Sequence, residues 1–194
     1  MSSLPDWMYP PREEGWYAED LDRLTEAPRH TELIDGALVF MMSPQRSWHS
    51  RVVSALTFAL EAQAPEELEV EREMTIRLDR RNRPEPDLVV AKAEYRPNRT
   101  WFDPSEVLLV VEVVSPESEH RDRTMKPRKY AEAGIPSYWR IEHEVEQVVA
   151  YVHELDDAVG AYGSPQVYQR RLERKVPFPL TLELDQLERR RRGN

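Results

Sequence analysis

At 194 residues the chain is long enough for one domain with a sizeable buried core. It has no cysteine, which excludes a disulfide framework, a thiolate metal site and a cysteine nucleophile. Its formal charge of −9 argues against tight non-specific binding to polyanions. No apolar run is long enough for a membrane span, so a cytoplasmic chain with no membrane partner is expected.

The 16 prolines mark off the elements. Residues 1–16, with Pro5, Pro10 and Pro11, read as an irregular arm, 17–188 as a single domain, and 189–194 as a solvated basic tail. "YAEDLDRLTEA" (17–27) has Leu21 and Leu24 at helical spacing and reads as a short helix. "ELIDGALVFMM" (32–42) reads as two strands joined at Asp35-Gly36, a strong hairpin dipeptide. "SWHSRVVSALTFALEAQA" (47–64) places Trp48, Val52, Leu56 and Leu60 on one helical face, with Ser47 as the expected N-cap.

"LEVEREMTIRL" (68–78) reads as a strand or a bent pair, and "DLVVA" (87–91), bounded by prolines, as a central strand. "VLLVVEVV" (107–114) is the most strand-like segment present. A helix follows, ending at Gly134 before Pro136, with Thr124 as its expected cap and Lys126 and Pro127 in its first turn. "SYWRI" (137–141), "QVVAYVH" (147–153) and "PQVYQRRL" (165–172) are further strands. The pattern is α+β, a mixed β-sheet flanked by helices. Apolar surface on "VVAYV" suggests a second copy to cover it.

Glu112 stands inside an apolar strand, where a carboxylate must be paired, protonated or bound to a cation. Asp87 opens another core strand. If the two strands are neighbours, the acids converge on a site for Mg²⁺ or Mn²⁺, which takes one or two carboxylates with water and phosphate oxygens. The alternative is a carboxylate paired with arginine or kept protonated. His49 reads as a packing residue of its helix, and Tyr130, Tyr138 and Trp139 read as core.

The ordered segments "ELIDG", "SPQRSWH", "PEPDLVV", "VEVVSPES" and "DRTMKPRKYAEAGIPSYW" resemble the Uma-type restriction endonuclease family, a branch of the PD-(D/E)XK nucleases. The resemblance implies a restriction-endonuclease-like core, a magnesium-dependent site hydrolysing phosphodiesters of nucleic acid, DNA above all, and a homodimer. By position it makes Asp87, Glu112, Lys126 and Glu32 the catalytic set, with Asp87 and Glu112 as metal ligands. Glu32 reads equally as a surface strand residue.

The usual lysine, two residues after the acid, is replaced by Val114, and Lys126 on the following helix is the family's counterpart. The empty position leaves an inactive nuclease-fold binding module as the alternative. A glycosidase using Asp87 and Glu112 as its acid pair is a third reading. Arg121, Arg123, Lys126, Arg128 and Lys129 are expected to supply local positive charge, with Lys129 facing solvent.

Overall fold

Side-chain alternation along two apolar runs sets the layers. The computed structural model describes residues 4–41 and 45–188. In chain order the elements are β1 (Thr31–Ile34), β2 (Ala37–Phe40), α1 (Ser47–Glu61), β3 (Glu69–Arg72), β4 (Thr75–Ile76), β5 (Leu88–Ala91), β6 (Trp101–Phe102) and β7 (Val107–Val113). Then come α2 (Lys126–Glu132), β8 (Ser137–Glu144), β9 (Gln147–Asp156), β10 (Ala161–Tyr162), β11 (Gln166–Tyr168), β12 (Arg171–Arg174) and β13 (Leu180–Glu183).

The main sheet runs β10-β9-β8-β7-β5-β3, with β11 also on β9. β7 and β8 are parallel and connected through α2, as a parallel pair requires. The other pairings of this sheet are antiparallel. Leu88 and Val90 of β5, Leu109 and Val111 of β7, and Trp139 of β8 pack on α1. The intervening Val89, Val110 and Tyr138 pack on the opposite face with Tyr130 of α2. By the same alternation Glu112, two residues after Val110, faces α2. The chain is therefore the expected mixed sheet with a helix on each face.

Several elements take a different form from the sequence reading. Residues Ala18–Arg23 make a 3-10 helix, held tight by Asp20, whose carboxylate accepts from the Tyr17 N–H at 2.8 Å. Segment 68–78, by contrast, is the bent pair that the sequence allowed, two strands broken at Glu73, where φ is +53°. Segment 165–172 splits: β11 stays on the main sheet, while β12 pairs with β13, a strand the sequence reading did not include. Ser47 lies inside α1, and Arg46 takes the cap position with no side-chain cap bond.

Thr124 is not a cap either. The chain turns helical earlier and passes through a π-turn at Arg121–Met125 into α2, with the Thr124 hydroxyl donating to the His120 carbonyl. Pro127 has no N–H to give the carbonyl of Arg123. The wider turn, in which the Lys126 N–H reaches Arg121 O, accommodates that loss. Val148, Val149, Ala150 and Val152 of β9 are at most 1% exposed. Leu172, Leu180 and Leu182 join the same core, so "VVAYV" is covered within one chain and gives no ground for a dimer. The basic tail, 189–194, lies outside the described residues.

The β1–β2 hairpin turns at Asp35 and Gly36, with φ of +51° and +81°, the positive pair that the tight hairpin turn needs. Lys129 of α2, only 6% exposed, donates to Asp35 Oδ1 at 2.5 Å. It is an anchor for the hairpin and not the solvent-facing lysine expected from the basic run. Because Asp35 is itself mostly exposed, Lys129→Ala is expected to cost about 1 kcal/mol, or roughly 2–4 °C in Tm for a chain of this size. Faster hydrogen exchange in the hairpin should accompany the drop. A variant that melts and exchanges like the parent would remove the anchor.

Candidate active site

Neighbouring strands bring the two sequence-predicted acids together. β5 and β7 pair with Leu88 opposite Val111, so Asp87, one residue earlier, stands beside Glu112. The Val113 N–H donates to Asp87 Oδ2 at 2.6 Å, and Asp87 Oδ1 lies 3.1 Å from Nε2 of His49 on α1. His49 is thus a partner of Asp87 rather than only a packing residue. Burial alone would lower the imidazole pKa, but the hydrogen bond and charge of Asp87 raise it overall.

Glu112, 3% exposed, accepts two bonds on Oε1, from Lys126 Nζ at 2.9 Å and from the Tyr130 hydroxyl at 2.9 Å. Lys126 and Tyr130 lie four apart on α2 and so present one face to the strand. The Lys126 amine is also 2.8 Å from Glu32 Oε1 and 3.6 Å from Asp122 Oδ1. Glu32 is 1% exposed, so the surface-strand reading of it is wrong. Its Oε1 also accepts the Glu85 N–H at 2.9 Å, while the buried Oε2 has no hydrogen-bond partner among the described residues. Tyr138 and Trp139 are fully buried core, as read from the sequence. Asp122 was missed; its i,i+4 spacing to Lys126 was the available signal, hidden in a run that reads as basic.

Burial raises the Glu112 pKa well above the usual carboxylate range. The Lys126 charge opposes this, and Asp122, Asp87 and Glu32 add to it. For Lys126, burial favours the neutral amine, but the charges of Glu112, Glu32 and Asp122 outweigh it, so its pKa is raised and it stays an ammonium. Lys126 is therefore placed by carboxylates and not by a helix N-terminus.

The rest of the basic run is largely neutralised. Arg123 pairs with Glu119 and Glu142, Arg128 with Glu132, and Lys129 with Asp35. Arg121 has no ion pair among the described residues and sets its guanidinium 3.2 Å from the Met41 sulfur. The expected free positive surface is not formed by this segment.

Asp87, Glu112, Lys126 and His49 all line a cleft of about 330 Å³. Two carboxylates on one wall, in surroundings with more acids than cations, suit a hard divalent ion that needs only one or two protein carboxylates. Among the described residues no group of three or more His, Asp or Glu is arranged to hold a metal, so an all-protein cage is not what this cleft offers. No described helix is long and apolar enough to cross a membrane.

The family model described as Uma2, "Putative restriction endonuclease", matches residues 18–186. The chain belongs to the Uma2 family. Among solved structures it is similar to a crystal structure described as "a putative nuclease belonging to DUF820" from Anabaena variabilis ATCC 29413. The TM-score is 0.63 at 18% identity, covering 86% of this chain and 96% of that one, a likeness of fold. No curated protein matches. In this Uma2 chain the position two residues after Glu112, which would carry the usual lysine, is Val114, just past the end of β7, and its N–H donates to Ile141 O at 2.8 Å. The amine that reaches Glu112 comes instead from α2, as Lys126.

Proposed function

We propose that the chain is a metal-dependent endonuclease hydrolysing phosphodiester bonds of nucleic acid, with DNA as the first substrate to test. The observation that carries this reading is the meeting of Asp87, Glu112 and Lys126, from three separate elements, in one cleft. Asp87 and Glu112 would hold Mg²⁺ or Mn²⁺, which when bound polarises a phosphate oxygen and acidifies a water. The chain's own groups do the rest. His49 and the Val113 N–H fix Asp87. Lys126 holds a permanent positive charge where a phosphoryl transition state gains negative charge. The carboxylates around it favour its ammonium form, which suits orienting water or stabilising charge. Glu32 acts through Lys126, as a positioning residue.

One observation favours a second reading, the inactive binding module: the Lys126 amine already neutralises Glu112 and Glu32 without a metal. The glycosidase reading has no use for an ammonium on its carboxylate and is dropped. Incubation with supercoiled plasmid, linear duplex and single strands, with and without Mn²⁺, separates the two that remain. Cleavage that needs Mn²⁺ and stops with EDTA is the expected result. Binding without cleavage of any substrate would leave only the module. The homodimer belongs to this proposal through the resemblance alone, and the cytoplasmic location through composition alone; light scattering showing one copy at all concentrations would remove the first.

A further inference from the structure

Across the Ser115-Pro116 turn from the cleft lies a second hollow of about 310 Å³, and Arg46, His49, Ser115 and Pro116 line both. The two hollows share this wall. The second holds Trp48 and His143, whose rings meet edge to face with centroids 5.3 Å apart. Glu188 lies at the polar edge of both rings and bonds the first. Trp48 Nε1 donates to its Oε2 at 3.2 Å, and His143 Nε2 stands 3.7 Å from the same oxygen. The aromatic pair is thereby held in place while the His143 side chain remains 44% exposed.

At the shared wall Arg46 is exposed and precedes the first turn of α1, whose backbone N–H groups no side chain caps among the described residues. A guanidinium beside an uncapped helix N-terminus suits a phosphate. His49, in the same wall, is 8% exposed and leaves its Nδ1 without a hydrogen-bond partner among the described residues.

We propose that this second hollow receives the base of the nucleotide next to the phosphate in the cleft, so that the substrate is single-stranded or carries an unpaired nucleotide there. The proposal rests on the nuclease reading and narrows it. A hollow of about 310 Å³ sits at the small end of ligand sites, the scale of one nucleoside. The charge balance points the same way. With Arg123 and Lys129 held in close ion pairs, those two cations of the basic run are not free to meet a rigid duplex backbone. Stacking on an aromatic pair adds contact that salt does not screen and that any base satisfies.

The test is fluorescence anisotropy of the full chain in EDTA with a short labelled single strand and with its duplex. The single strand should bind more tightly. Trp48→Leu and His143→Ala should each weaken single-strand binding about five- to hundredfold and leave duplex binding unchanged. Equal binding of both forms, or variants that weaken both forms alike or neither, would overturn the proposal. If Trp48→Leu disturbs the packing of α1, the exposed His143 carries the test. Adding Mn²⁺ then separates the two readings. Cleavage with unaltered single-strand binding in the variants overturns the base site and keeps the nuclease. Ring-dependent binding with no cleavage upholds the base site and overturns the nuclease.

Discussion

Glu112→Gln is expected to reduce metal-dependent cleavage to the background of the assay, while the metal-free chain stays folded and becomes more stable at neutral pH. Glu112 is buried, and burial together with Asp122, Asp87 and Glu32 raises its pKa against the opposing charge of Lys126. The amide keeps an acceptor for the Tyr130 hydroxyl and the Lys126 amine, so packing and hydrogen bonds survive. What it removes is one buried negative charge and a metal ligand. The pH dependence has a definite sign. Below the unfolded carboxylate value of about 4.3 both states hold the proton and Glu112 contributes no difference. As pH rises past it, the unfolded chain ionises freely while the folded chain resists, so stability is lost up to the raised folded pKa.

The parent in EDTA should therefore lose stability from about pH 4 toward neutrality, and the variant should lose less. Asp122, also raised by burial, keeps a residual slope of the same sign in both. Lys126 adds none in this window, because a raised lysine loses its contribution only on the alkaline side. Melting curves across that range, beside the cleavage assay, check the prediction. A Gln variant that still cleaves, or one that no longer folds, would make Glu112 a structural carboxylate.

The legible parts of this site are those where one residue contradicts its own surroundings. Glu112 inside "LLVVEVV" and Asp87 at the mouth of "DLVVA" announce themselves, because an acid in a core strand has to be answered by something. Pairing of β5 with β7 follows from two apolar runs of similar character, and Asp35-Gly36 fixes the hairpin through its backbone preference. Glu32 is a different matter. In a four-residue strand an acid is a surface residue by default, and only the docking of the hairpin over Lys126 buries it. The basic run misleads for the same reason. Its charges are local in sequence, but Asp35, Glu142 and Glu112, which neutralise them, come from elsewhere in the fold. The π-turn had a visible cause in Pro127, though a proline early in a helical pattern reads more simply as a first turn. Trp48 and His143 are 95 positions apart, and nothing short of the β8 register brings them into contact.

Lys126→Ala should lower the cleavage rate by on the order of a hundredfold or more, the usual size for a positioned charge-stabilising group. It should also change the affinity for metal. The Lys126 amine contacts Glu112 and Glu32 directly, at 2.9 and 2.8 Å, so removing it leaves carboxylates without their cation. Breaking a buried pair from one side costs about 3–5 kcal/mol, and some of that is relieved here if a carboxylate takes up a proton. A divalent cation relieves it better. Ca²⁺ or Mg²⁺ should raise the melting temperature of Lys126→Ala by more than that of the parent, because in the parent the ammonium competes for the same charge. The control is Arg128→Ala, since Lys129 is tied to the hairpin. The Arg128 side chain is 66% exposed and only loosely paired with Glu132 at 3.7 Å. Its loss should act through salt-dependent binding of nucleic acid and leave the metal response alone. If the two variants lose activity equally, if added salt reproduces both losses, and if metal stabilises neither more than the parent, Lys126 is only part of a binding surface and the lysine supplied from α2 does not replace the one missing at Val114.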